Sequence, residues 1–487
     1  MQLLNKYKQL PIQVKASFWF FVCAFLQKAI ATISTPIFTR IMTPAEYGQY
    51  NVFNSWLGIA NILITLCLFY GVYMQGLVKF EDRRKIFSSS LQGLTLFLVV
   101  LWSLIYAIGY NFFNNLLSLT TSQMICMFLL IWLGAVFSFW SCEQRVDYKY
   151  KLLVTISLIV SFLQPLVGIL LVISSTDKVM ARIIGLVVVD LICFSWMFFY
   201  QMKKGSYKIS VAFCKYALAF NIPLVPHYLS QVVLGNSDRI MIGKMVGTSQ
   251  AGIYSLAYSV ALVMTLFNVA LGQTVNPWIY KKIKAKSILK IARVIYLLLI
   301  FIAVVNLFLI MLAPEIVAVF APKTYYEAIW TIPPVAMSVY LMFCYDAFAK
   351  FAFYYEKTVY IMAASIIGAI VNIILNYLLI PIFGYIVAGY TTLICYLLYV
   401  LFHYIFMNKI CDKYCDKVRP YNTKIILLIT GIFFALALSC LFIYEYIFIR
   451  YIIILLFLIL LITNNKVILN LFKQLSFIRN EKTKNEK

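Results

Sequence analysis

Long apolar runs recur along this chain from end to end, and nothing else in it limits the possible fold so tightly. A helix needs about 20 apolar residues to cross about 30 Å of hydrocarbon at ~1.5 Å per residue. On that rule the sequence predicts spans near 16–36, 50–74, 88–109, 122–142, 153–173, 182–201, 216–235, 253–276, 289–313, 328–349, 358–380, 385–407, 424–443 and 447–464. Backbone groups in lipid must be satisfied within the segment or in a closed barrel. These runs are too long and unbroken for barrel strands. The predicted fold class is therefore all-α, a polytopic membrane protein of about fourteen transmembrane helices. Composition agrees, with 63% hydrophobic and 12% charged residues and a mean hydropathy of +0.91. A soluble domain cannot hide that much apolar surface.

The 41 Lys and Arg against 17 Asp and Glu leave a formal charge of +24. In a soluble protein that balance would suggest nucleic acid. Here the bases sit in short loops between apolar runs, so no nucleic-acid partner is expected. With the N-terminus in the cytoplasm, 33 of the 41 fall in cytoplasmic segments, including Lys79, Arg83, Arg84, Lys85, the stretch Lys281–Arg293 and the C-terminal tail. The other eight are Lys28, Arg40, Lys178, Arg182, Arg239, Lys244, Lys323 and Arg450. This alternation follows the positive-inside rule and predicts a multi-pass protein with both termini cytoplasmic. The first span, with its preceding bases and Ala29-Ile30-Ala31, superficially resembles a signal peptide. Lys28 would sit beside the cleavage site, so the segment reads as retained. The eleven Cys are scattered at no metal-like or disulfide-like spacing, and Cys411 and Cys415 read as free thiols. No cofactor or metal is expected.

An internal repeat organises the runs. The segment Arg40–Val52 lines up without gaps on Lys244–Leu256 at an offset of 204 residues, matching Gly48 to Gly252, Tyr50 to Tyr254, Glu46 to Gln250 and Arg40 to Lys244. The same offset carries spans 1–6 onto spans 7–12 with their loops in register. An even repeat preserves orientation, so the expected lobes are parallel repeats about an axis along the membrane normal. The predicted domains are an N-lobe at 1–209, a C-lobe at 210–411, and spans 13 and 14 with the tail at 412–487.

The stretch Pro36-Ile-Phe-Thr-Arg40-Ile-Met-Thr-Pro44-Ala-Glu46-Tyr-Gly48-Gln-Tyr50 resembles the first-loop signature of the oligosaccharide flippases. These form the polysaccharide transport family of the superfamily that also holds multidrug extruders and lipid II flippases. Asn221-Ile-Pro223-Leu-Val-Pro226, Asp238-Arg239-Ile-Met-Ile and Gly252-Ile-Tyr254-Ser-Leu-Ala resemble the same family's seventh and eighth spans. The resemblance implies an oligosaccharide repeat unit on an undecaprenyl-pyrophosphate carrier as cargo, moved to the outer leaflet of the bacterial cytoplasmic membrane for O-antigen, capsule or exopolysaccharide. It also implies membrane lipids, a polysaccharide polymerase and a chain-length regulator as partners. The sequence departs from the lipid II flippases in lacking an arginine early in span 1, where Lys28 is the nearest cation.

A pyrophosphate-linked cargo needs cations facing its path, because an unpaired anion in a low dielectric is prohibitively costly. Lys28, near the middle of span 1, is a substrate contact, one half of an ion pair, or a snorkelling residue. Asp190, in the middle of span 6, is an ion-coupling group, the partner of Lys28, or a polar helix contact. Arg40, Arg239 and Lys244 cap or gate the matching outer ends. Pro223 and Pro226 should break span 7, and broken helices often line transport sites. That directs attention to Asn221, His227 and Gln231. Asn372 and Asn376, at i and i+4 in span 11, bind sugar hydroxyls or bond helix to helix. Asp346 and Lys350, also i and i+4, read as a solvated pair at the end of span 10. Two rivals to the flippase are weighed. A cation-coupled multidrug antiporter of the same superfamily should have twelve spans and more buried carboxylates. A membrane polysaccharide polymerase, an enzyme, should have a large outer loop.

Overall fold

The apolar runs become helices. In the computed structural model, which describes residues 11–463, no strand occurs among the described residues. The expectations placed on the first ten residues and on the 465–487 tail, including both termini, lie outside the described residues. Among the described residues twelve helices are long and apolar enough to cross a membrane, so this is a multi-pass membrane protein. Of the fourteen predicted spans, 50–74 is broken and too polar to count among the twelve, and 447–464 reaches the edge of the described residues.

The chain divides into two compact units, Met1–Gly252 and Ile253–Lys487. The first contains α1 (Ile12–Ile41), α2 (Pro44–Thr65), α3 (Gly71–Lys79), α4 (Arg84–Ile108), α5 (Tyr110–Leu117), α6 (Thr121–Val146), α7 (Tyr150–Ser174), α8 (Lys178–Lys204), α9 (Val211–Asn221) and α10 (Val225–Met245). It also takes in the start of α11 (Thr248–Leu262). Local chemistry sets the starts of these helices. Thr43 and Glu46 form a capping box on α2 with Pro44 at its first position, and Thr120 and Gln123 form another on α6. Lys178 donates to the Ile41 carbonyl over 2.7 Å, placing a cation at the C-terminus of α1. Near one end of the unit, Asp147 pairs with Arg84 at 2.7 Å and Lys149 at 3.0 Å. Burial pushes the Asp147 carboxyl up, but hydrogen bonds from Lys149 and Arg84 outweigh it and hold the group below its ordinary range.

Two helix breaks shape this unit. The predicted span 50–74 divides after Thr65, where Leu66 and Cys67 take left-handed backbone conformations with φ of 50° and 53°. The predicted break in span 7 is present as a 3-10 turn, Ile222–Leu224, between α9 and α10. The breaks meet. Asn221 donates from its amide to the carbonyls of Leu66 at 3.0 Å and Cys67 at 2.6 Å. The unit also contains two close glycine approaches. A Cβ on Gly185 of α8 would lie 2.9 Å from the Cα of Gly168 in α7. A Cβ on Gly48 would lie 1.8 Å from the Thr248 carbonyl oxygen, and one on Gly252 would lie 2.1 Å from that of Pro44. Small residues let membrane helices approach to backbone contact.

The second unit continues with α12 (Thr265–Lys284), α13 (Leu289–Met311), α14 (Ala313–Phe320), α15 (Ile332–Tyr354), α16 (Thr358–Phe383), α17 (Val387–Tyr414), α18 (Thr423–Phe442) and α19 (Ile447–Thr463). Helix α15 is its most enclosed element and packs mainly on α17. Helix α19 continues to the last of the described residues, and it is anchored. Arg450, one of the eight bases expected on the outer face or inside a span, is buried and pairs with Glu315 of α14. Its guanidinium also donates to the Tyr444 carbonyl at 3.0 Å.

Candidate functional site

The first unit holds a half-open cavity of about 320 Å³ with polar lining, among α1, α2, α7 and α8. Helix α1 contributes Gln27 and Phe38, α2 contributes Tyr50, Asn51 and Asn54, α7 contributes Ser161 and Gln164, and α8 contributes Arg182. These α2 polar groups help explain why that helix lacks the hydropathy of a lipid-facing span. Gln27 donates to Ser161 Oγ at 3.0 Å, tying α1 to α7 across the floor.

Arg182 supplies the charge. Its guanidinium carbon lies 3.6 Å from the ring centroids of both Phe38 and Tyr50, so the flat cation is held between two aromatic faces. Tyr47 adds a third ring at 5.4 Å. Arg suits such a place because its delocalised, weakly hydrated group stacks where a lysine ammonium would not. Its polar contact is to Met42 sulfur at 3.7 Å, and among the described residues no carboxylate pairs with it. The ring faces steady the cation without cancelling its charge. Asp190, two turns further along α8, is buried and accepts from Gln164 Nε2 at 2.7 Å. The carboxylate therefore sits behind a wall residue, with an amide partner rather than Lys28.

The second unit has its own open cavity, about 450 Å³, between α12 and α15, with polar groups set among apolar ones. Thr265, Asn268, Gln273 and Asn276 face it from α12, and Tyr345, Asp346 and Lys350 from α15. Lys350 and Asp346 pair at 2.7 Å, but the expected solvated pair is only half solvated, since the Lys350 side chain is 9% exposed against 39% for Asp346.

The structure distributes the other predicted site residues around these cavities. Lys28 is half-buried on α1, does not line either one and forms no ion pair among the described residues. Asn221 braces the two helix breaks. His227 and Gln231 approach each other at 3.4 Å on α10, one turn apart. Arg40 donates to the Pro36 carbonyl at 2.8 Å, and Arg239 to Gly235 at 3.1 Å and Asn236 at 3.2 Å. Lys244 bonds the Leu116 carbonyl and lies 5.8 Å from the Trp56 ring centre. Asn372 and Asn376 are fully buried and join α16 to α17, where Asn372 donates to Thr392 at 3.3 Å and Thr391 donates to Asn376 at 2.5 Å.

Sequence reasoning passed over Arg182, which it counted only as an outer base, and over the amides around it. The available signal was four amides, Gln27, Asn51, Asn54 and Gln164, inside predicted spans. It also passed over Glu143, a buried carboxylate bonded to Lys204 at 2.6 Å and Gln201 at 3.0 Å. Among the described residues no group of three His, Cys, Asp or Glu is placed to hold a metal ion.

Known proteins resemble the chain at two levels. Residues 14–282 match the family described as polysaccharide biosynthesis protein, and residues 223–378 match the MatE family. A protein of the Lsg locus of Haemophilus influenzae is 27% identical over 211 residues, which are 40% of this chain and 51% of the relative. The chain thus spans about half the length of that relative. Among solved structures, the lipid II flippase MurJ in an inward closed conformation aligns at TM-score 0.68 and 15% identity, over 92% of this chain and 99% of that one. An inward-facing multidrug resistance MATE family transporter of the MOP superfamily aligns at TM-score 0.58 and 10% identity, over 79% of this chain and 96% of that one. At such identities these structures speak to fold. Since the family match takes in more than half of the sequence, the chain belongs to the polysaccharide biosynthesis protein family, with an all-helical membrane fold like that of those two structures.

Proposed function

We propose that this protein flips undecaprenyl-pyrophosphate-linked oligosaccharide repeat units from the cytoplasmic to the outer leaflet, supplying O-antigen, capsule or exopolysaccharide assembly. The observation that carries the reading is the first-unit cavity, where one unneutralised arginine stands among amides between α1, α2, α7 and α8. Such a lining suits a cargo that is rich in hydroxyls and also anionic. Amides exchange hydrogen bonds with sugars, and a guanidinium matches phosphate in shape and charge. Family membership and the likeness to a lipid II flippase support the same cargo class.

In this reading the lobes 1–209 and 210–411 alternate access, with 412–487 appended. The termini and the basic loops at 79–85 and 409–424 face the cytoplasm of a bacterial inner membrane. Asp190 is the ion-coupling candidate through Gln164. Lys28, Arg40, Asn221, His227, Gln231, Arg239, Lys244, Asn372 and Asn376 remain proposed path residues, and a polymerase and chain-length regulator remain proposed partners. No catalytic step is assigned.

Deleting the gene should strand lipid-linked units on the cytoplasmic leaflet and abolish the surface polymer. In the complemented strain, Arg182→Ala should insert normally and export little, while Arg182→Lys should keep part of the activity. The MatE match favours one rival, a multidrug antiporter. A deletion strain with normal polymer and lost drug resistance would install that rival, and loss of polymerisation with normal flipping would install the polymerase.

A further inference from the structure

Resting on the flippase reading, we infer that the cavity between α12 and α15 is a neutral-sugar subsite, which grips glycan hydroxyls through the Asp346–Lys350 pair and the α12 amides. The lining differs in kind from the first-unit cavity. There a cation is left uncompensated. Here Asp346 cancels Lys350 over 2.7 Å, so the walls carry both signs and no net charge. An anion entering would gain from the ammonium and lose to the adjacent carboxylate. A hydroxyl, which donates and accepts together, can satisfy both partners at once.

Three features show that the pair is built to receive something. Lys350 is nine-tenths buried on the most enclosed helix of the unit, where an ammonium is costly unless bonded. It carries three donors, and its bond to Asp346 uses one. On the opposite wall the Asn268 amide donates to the Val339 carbonyl at 3.0 Å, while its buried Oδ1 accepts nothing among the described residues. Gln273 and Asn276 place further amides on the same wall. Donors and acceptors thus share the lining of a space of about 450 Å³ with apolar side chains, within the roughly 300–1,000 Å³ of small-molecule sites.

The probe is the reducing oligosaccharide released by mild acid from the host's own lipid-linked repeat units, which lacks the pyrophosphate. With purified full-length protein in detergent, it should raise the melting temperature of the wild type. It should leave the neutral double variant Asp346→Asn with Lys350→Met unchanged. Gln273→Leu, at an exposed side chain, guards against misfolding. It should keep wild-type abundance, weaken the shift and lower export roughly ten-fold, about one hydrogen bond to the cargo. Free pyrophosphate should shift wild type and double variant equally. An absent oligosaccharide shift in the wild type, or equal shifts in wild type and double variant, would overturn the subsite. The flippase reading fails separately, through normal polymer in the deletion strain.

Discussion

The two helix breaks of the first unit reach the same end by opposite means. At 222–224 the interruption is local, because Pro223 and Pro226 lack amide hydrogens and clash with the preceding turn. At Leu66–Tyr70 no proline or glycine intervenes before Gly71. Leu66 and Cys67 adopt left-handed backbone that costs about 1–2 kcal/mol per residue. Their carbonyls, released from helical bonding, are held by Asn221, more than 150 residues away in sequence. The proline break was declared by composition, whereas the other exists only once the chain has folded against α9. The bracing residue adjoins the proline turn, so the written break positions the donor that holds the unwritten one.

Asn221→Leu should separate the two most. It leaves two carbonyls without their donor at a cost of about 2–4 kcal/mol, read as a lower melting temperature in detergent. An unchanged melting temperature would mean that Leu66–Tyr70 holds itself. Replacing Pro223 and Pro226 together by Ala should matter less to stability, within about 1 kcal/mol. It should let the helix run through, and hydrogen exchange would then report new protection at residues 222–226. If no protection appears, the turn is imposed by tertiary contacts and the contrast collapses. The smallest effect is expected for Leu66→Gly. Relief of about 1–2 kcal/mol of left-handed cost should offset lost burial and added chain entropy, leaving the melting temperature nearly unchanged. A loss above about 2 kcal/mol would show that Leu66 packing, rather than Asn221, secures the break.

What the sequence made legible follows the same division. Periodicity and run length located the twelve membrane-length helices among the described residues, because lipid forces each run to satisfy its own backbone. Pro223 and Pro226 announced their break, and Asn372 and Asn376 announced a polar face that joins two helices. The cavities were harder to read. Arg182 lies at a span end, where a base normally meets water, and only the fold brings Phe38 and Tyr50 onto its two faces. Lys350 looked solvated because it follows a long apolar helix near a basic loop. Its burial depends on how α15 packs within the unit, which no local pattern reveals. Asp190 was rightly singled out as a mid-span acid, yet its neighbour proved to be an uncharged amide, since pairing depends on helix rotation rather than on spacing.

The contact between Gly48 and Gly252 has a consequence for how such a chain can drift. Each glycine abuts a backbone carbonyl of the other's helix turn, Thr248 for one and Pro44 for the other. A backbone atom cannot be traded for a smaller one, so a methyl at either site has no second-site remedy nearby and must push the two turns apart. Once they are apart, the remaining glycine has lost its reason to stay. The two positions, matched at an offset of 204 residues, are therefore free to vary only as a couple: a lineage would retain both or relinquish both, and a hybrid made by swapping one repeat alone would carry the full penalty at once.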